Sequence, residues 1–178
     1  RVKMYRPDSQ LVCDSLVLLN TDSIIRLYVD PVLWNEDNQI SSDSMAIYTK
    51  NQLLSKAHFM GNPIMAMEID TMYYNQVKGK DMVATFTDGV VSRNDVIGNA
   101  QTIYYMQEED NPEVTGLMYI ESASITFYLA DSQIDKIAYK QKYDSYVHYR
   151  VDKMEGICET EDERILSDKP FDLSEYSK

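Results

Sequence analysis

The chain has 178 residues and carries 29 acidic against 17 basic side chains, a formal net charge of −12. That length suits one domain able to bury roughly two thirds of its unfolded surface. The charge disfavours nucleic acid and anionic membrane surfaces, both of which are bound through clustered Lys and Arg.

No apolar run approaches the roughly 20 residues of a membrane helix. The chain opens on Arg1 without a visible signal peptide, so it reads as a cut piece of something longer, and a trimmed leader leaves the compartment open. Fourteen tyrosines with few Gly and Pro suit a strand-rich chain.

From the N-terminus onward, one pattern occurs four times. A loose copy at residues 11–31 is followed by copies at 40–61, 77–98 and 120–141, which align without a gap. Apolar positions coincide at Ile40, Val77 and Ile120, at Met45, Met82 and Ile125, and at Leu54, Val91 and Ile134; basic ones coincide at Lys56, Arg93 and Lys136. Repeats of about 30 to 45 residues mark stacked units that share a core, because one unit cannot cover its own apolar face. Within each copy the pattern has period two, so Met82, Ala84 and Phe86 fall on one strand face. Turns are predicted at Lys50-Asn51, Asp88-Gly89 and Asp131-Ser132, the Asp-Gly pair being the strong hairpin signal. A second strand then ends at Val29-Asp30-Pro31, Gly61-Asn62-Pro63 or Gly98-Asn99-Ala100. Another strand follows at 31–34, 63–69 or 100–106, and a polar connector leads on, so the unit is all-β with three strands per repeat.

If the copies stack in register, Leu16 and Leu18, Met45 and Ile47, Met82, Ala84 and Phe86, and Ile125, Phe127 and Leu129 line one wall. Val32, Trp34, Ile64, Ile103 and Tyr105 are candidates for the other, with their register open. A filled β core accounts for such positions; an acyl-chain site does so too, and ten methionines would make it adaptable.

Signals for catalysis are sparse. His58 and His148 fall in strands and read as packed or edge residues. No nucleophile elbow or phosphate loop occurs. Glu68 and Asp70 share a strand face, as glycosidase carboxylates do, but 29 acidic residues make such pairs common by chance. Cys13 and Cys158 read as free thiols, and no metal-ligand spacing or cofactor motif is present.

The succession Gly61-Asn62-Pro63, then Gln76-Val77-Lys78-Gly79-Lys80-Asp81-Met82, the Asp88-Gly89 turn and Ile97-Gly98-Asn99-Ala100-Gln101-Thr102-Ile103-Tyr104-Tyr105 resembles the OstA-like family. So does the segment from Asp30-Pro31-Val32-Leu33-Trp34 through Asn38-Gln39-Ile40-Ser41-Ser42-Asp43-Ser44. This family includes the periplasmic lipopolysaccharide transport proteins related to LptA and the N-terminal domain of LptD, and the resemblance covers residues 11–150. It implies an open V-shaped β-jellyroll of two antiparallel sheets that holds lipid A acyl chains. It also implies edge strands that join other bridge components or further copies head to tail, no catalysis, no cofactor, and a place in the periplasm or at the outer membrane. The ten residues of the predicted wall are then the ligand-binding trough.

Residues 1–150 are expected to form this domain. Residues 151–178, charged and without the repeat, are expected to be an acidic tail or linker, with a short helix conceivable at 160–166. The alternatives are a ligand-free β-repeat scaffold that mediates protein assembly, and a carbohydrate-active enzyme using acids such as Glu68 and Asp70. A single Trp argues against the latter.

Overall fold

In the computed structural model, the described residues are 1–149 without 6–8, 20–22, 36–37, 70–71, 109–110 and 131–132. The expected tail and its helix, Cys158, Asp70 and the Asp131-Ser132 turn lie outside them.

The described strands form one antiparallel sheet folded into two layers. β1 (Val2–Tyr5) and β2 (Ser9–Cys13) pair in one layer, and β3 (Ser15–Leu19) and β4 (Ile24–Tyr28) in the other. The chain returns to the first layer for β5 (Val32–Asn35) and β6 (Asn38–Ser41) and crosses again for β7 (Ser44–Lys50) and β8 (Leu53–Met60). β9 (Ile64–Glu68) and β10 (Tyr74–Lys78) return once more, and β11 (Asp81–Thr87) crosses back. Three long strands, β12 (Val90–Glu108), β13 (Asn111–Ala130) and β14 (Gln133–Tyr149), then run through both layers. β12 pairs with β11 along its first half and with β10 along its second, which joins the layers. The repeat is therefore four strands, two per layer. The polar residues taken as a connector include β6 and β10, whose Asn and Gln side chains hide the strand period from hydrophobicity.

The crossings explain the Gly-Asn recurrence. Both residues of each pair have positive φ: 63° and 49° at Val29 and Asp30, 76° and 50° at Gly61 and Asn62, and 79° and 49° at Gly98 and Asn99. Two left-handed residues in succession swing the strand out of its sheet, and Gly at the first position does so without a Cβ penalty. The corners stack into a seam: Asp43 N–H donates to the Gly61 carbonyl at 3.0 Å, Asn62 N–H to that of Lys80 at 3.2 Å, and Lys80 N–H to that of Gly98 at 2.9 Å. A Cβ on Gly61 would overlap the Asp43 carboxylate, so the seam is closely packed there.

At the far ends, the Asp88-Gly89 turn has φ of 52° and 85°, the doubly left-handed hairpin its sequence predicts. The β7–β8 turn is centred one residue later than expected, on Asn51 and Gln52 with φ of 52° and 67°. Ser55, Ser92 and Asp135 are each left out of the ladder as a bulge. This recurring bulge places Leu54, Val91 and Ile134 opposite Thr49, Phe86 and Leu129.

Inward side chains follow the rungs. The rung beside the seam crosses Leu16, Leu27, Met45, Phe59, Met82, Val96, Ile125 and Tyr139. Leu27, Met82, Val96 and Ile125 are 0% exposed, each contributing roughly 1.5–3 kcal/mol of transfer free energy. The opposing layer presents Leu11, Leu33, Ile40, Met65, Val77, Thr102 and Ile120 on one rung. The candidates Val32, Trp34, Ile64 and Ile103 each sit one residue away from that rung and Tyr105 three, so all five face outward. Because strand side chains alternate, a one-residue slip moves the whole set to the other face. The run Pro31-Val32-Leu33-Trp34 is apolar on both faces and carries no alternation to read.

Candidate functional site

All ten predicted wall residues share the inward face of one layer. Met45, Met82 and Ile125 lie on the seam rung with Leu16; Ile47, Ala84 and Phe127 lie on the next with Leu18; Phe86 and Leu129 lie beyond. Burial falls along that sequence of rungs. The seam rung is closed, Ile25, Ile47 and Ile137 on the second are partly buried, and Phe86, Val91 and Leu129 on the third are partly buried as well. On that same rung Leu54 and Ile134 are exposed, as are Leu53 and Val90 at the hairpin tips. The interior between the two layers is thus closed at the seam and more exposed toward the hairpins. Leu18 departs from its neighbours: it is 56% exposed, because β3 is the last described strand of its layer and no described strand covers its flank.

On the opposing wall the deep positions are Leu11, Cys13, Ile40, Val77 and Ala100, with Leu33 and Met65 packed against them. Farther from the seam this wall turns polar, with Asn35, Asn38 and Asn75 around Met67, and Asn75 Oδ1 accepts from Tyr105 N–H at 2.8 Å. None of the side chains named on either wall is a carboxylate, ammonium or guanidinium. Burial pushes up the Cys13 thiol, with the nearby Asp14 adding to the effect, and it pushes up the Tyr139 phenol. Both groups therefore stay neutral. Cys13 is free and buried.

Charge is carried outside. Lys56 lies over Tyr48 with 5.5 Å from Nζ to ring centroid, and Arg93 and Lys136 lie over Tyr128 at 5.6 and 5.7 Å, which accounts for the recurring basic position. Arg93 also pairs with Asp95 at 2.7 Å, and Asp95 accepts from Thr126 Oγ1 at 2.7 Å. His58 Nε2 stands 3.3 Å from Asp81 Oδ1 on this outer face, away from the trough. Glu68 ends β9 as an exposed residue.

The sequence matches no family model and no curated protein. Its fold does match a solved one. LptH of Pseudomonas aeruginosa, described as the LptA-homologous periplasmic component of the conserved lipopolysaccharide transport device, superposes with a TM-score of 0.56. The match covers 80% of this chain and 94% of that chain at 12% sequence identity. At that identity the likeness is one of fold, an LptA-like β-jellyroll.

Besides Asn75, other inward positions escaped the sequence pattern because they are polar. Asn94 and Thr102 are buried, at 8% and 4% exposure, on the walls of the trough. The repeat holds a signal for Asn94, since residues 57 and 137 stand in its place and are Ala and Ile; in the place of Thr102, residue 65 is Met and residue 145 is Ser.

Proposed function

We propose that the trough carries the acyl chains of lipopolysaccharide through the periplasm toward the outer membrane. The observation that supports this most is the inner surface, uncharged at the described side chains named above, whose apolar groups become progressively more exposed from seam to mouth. A core built only for stability closes its apolar surface; this one leaves Phe86, Val91 and Leu129 within reach of a bound chain. Each methylene taken from water contributes about 0.8 kcal/mol, so one chain of ordinary length is held without a charged contact. The surplus of acidic groups favours a pose with lipid phosphates in solvent. Nothing in this role requires catalysis or a cofactor. The fold shared with LptH points the same way.

Among the described residues, the stack of strands ends at β1 and β3 on one side and at β14 on the other. Exposed Met4, Tyr5, Val17 and Leu18 sit on the first of these edges. Unpaired strand edges supply ladder hydrogen bonds, so other bridge components or a second copy head to tail are the partners that this reading assigns to them.

The test is a photoreactive residue at Phe86, with one at exposed Thr85 as the control, in protein expressed in the periplasm of a lipopolysaccharide-producing cell. A lipopolysaccharide adduct at Phe86 and none at Thr85 is the expected result. A folded protein with no adduct at Phe86 would instead support a ligand-free assembly scaffold.

A further inference from the structure

We propose that the hairpin ends of the layer containing β7, β8 and β11 insert into the interface of a lipid bilayer, with the basic residues one rung behind them at the level of its phosphates. This docking surface lies at the outer rim of the molecule and stands whether or not the interior carries lipid.

At the hairpin tips Lys50 pairs with Leu53, and Thr87 with Val90, on rungs whose side chains point to the outer face. Leu53 and Val90 are 50% and 52% exposed there. A Cβ on Gly89 would stand 3.5 Å from Leu53 Cδ2, so the two tips lie side by side. Leu54 and, on the next hairpin, Ile134 are exposed on the opposite, inner face. The sheet therefore ends in a line of aliphatic groups presented on both sides. Exposed apolar patches mark interaction sites. A protein seated on such an edge covers one of its faces, whereas a fluid apolar medium surrounds both.

Two residues back along β7, β11 and β13, one outer rung runs Tyr48, Lys56, Thr85, Arg93, Tyr128, Lys136 across six adjacent strands. Its cations recur on every second strand, roughly 10 Å apart, and each lies over a tyrosine ring. Two residues of strand span roughly 7 Å, which is the depth to which interfacial apolar faces sink. Tips inserted by that much bring this rung to the headgroups, where Tyr, Lys and Arg are favoured. The basic heads then meet phosphate oxygens while their stems stay along the apolar edge. Of the three cations, among the described residues, only Arg93 pairs with a carboxylate, that of Asp95.

The net charge of −12 opposes this contact only where it is carried. The connections of the inserting layer hold one acid each at Asp22, Asp88 and Asp131 and none between Lys50 and Leu53, with Asp135 at the bulge behind the last. Those of the opposing layer hold Glu36 and Asp37, then Asp70, then the run Glu108-Glu109-Asp110. One set of hairpins is apolar and basic and the other acidic, so the molecule meets a bilayer by the first.

The experiment floats the 178-residue chain through a density gradient with vesicles of phosphatidylethanolamine and phosphatidylglycerol. Co-flotation that weakens with added salt is expected. Leu53→Ser combined with Val90→Ser is expected to weaken partitioning about tenfold, as the loss of two half-exposed aliphatic side chains from the interface does. Both side chains face away from the interior, and an unchanged urea midpoint shows the fold intact. Lys56→Gln combined with Lys136→Gln is expected to weaken it at least about tenfold at low salt and to flatten the salt dependence. Folded protein that stays at the bottom of the gradient overturns the proposal, as does flotation unchanged in either double variant. An equal loss from Met72→Ser, a residue 73% exposed between β9 and β10 of the opposing layer, overturns the choice of edge. If the tip variant instead changes the sedimentation of the protein alone, the edge belongs to a second copy and the proposal fails. None of these results bears on the acyl-chain reading, which the Phe86 adduct tests separately.

Discussion

Met82 and Phe86 lie on one face of one strand, four residues apart, yet the structure gives them different tasks. Met82 is 0% exposed on the seam rung, between Phe59 on β8 and Val96 on β12. Truncating it to Ala removes the transfer free energy and leaves a cavity that the stacked corners prevent from collapsing, a loss of about 2–5 kcal/mol. With an unfolding slope of about 2 kcal/mol per molar urea for a chain of this size, the midpoint falls by ~1–2.5 M. Phe86 is only partly buried and faces the widening trough. Its truncation opens into space already reachable from outside, so no cavity term applies and the loss is about 1 kcal/mol, or ~0.5 M. Urea unfolding followed by far-ultraviolet circular dichroism measures both. The lipid adduct behaves in the opposite way, lost when the Phe86 position is altered and retained in whatever Met82→Ala protein remains folded. If Phe86→Ala costs as much stability as Met82→Ala, the interior is packed to its rim and the trough argument fails.

Val29 holds a left-handed φ of 63° that its counterparts Gly61 and Gly98 adopt freely, and it is 56% exposed. Val29→Gly relieves about 1–2 kcal/mol of steric cost against about 0.5–1 kcal/mol of added chain entropy. A small rise in the urea midpoint is expected, and earlier unfolding would refute the corner argument. At alkaline pH, Tyr105, raised by burial and then by nearby Tyr73, and Tyr139, raised by burial, keep their protons longer in the folded than in the unfolded chain. Their contribution is complete below the ordinary tyrosine value near 10 and is lost as pH rises through the raised folded values. The urea midpoint should drop from pH 9 to 11, and less steeply in a Tyr105→Phe, Tyr139→Phe double variant. An identical drop would remove the two phenols from the account.

The units of this fold were legible because each copy repeats the same local chemistry. Met82, Ala84 and Phe86, with their counterparts, alternate cleanly against polar neighbours, so one wall of the trough could be read from period two alone. The Gly-Asn pairs announced the corners, since few other residues accept two left-handed steps. The second wall was not legible in this way. Its short strands carry Asn and Gln where a pattern would show, as in β6 and β10, or are apolar on both faces, as at Val32, Leu33 and Trp34. Side-chain phase is also not carried through every corner: inward Val77 and Ile120 are followed, after an odd step, by inward Met82 and Ile125. Only the ladder connecting Leu33, Ile40, Met65, Val77 and Thr102 set that register and turned Trp34, Ile64 and Ile103 outward. Asn94 and Thr102 belong to the same class. A polar residue in a strand is ordinary in sequence, and only the folded layers brought these two to opposite walls without partners. The sequence alone determined the repeat, its Gly-Asn corners and the strands of the first wall, which depend on neighbours along the chain. Tertiary structure decided which faces meet, because that depends on pairing between segments that no local pattern records.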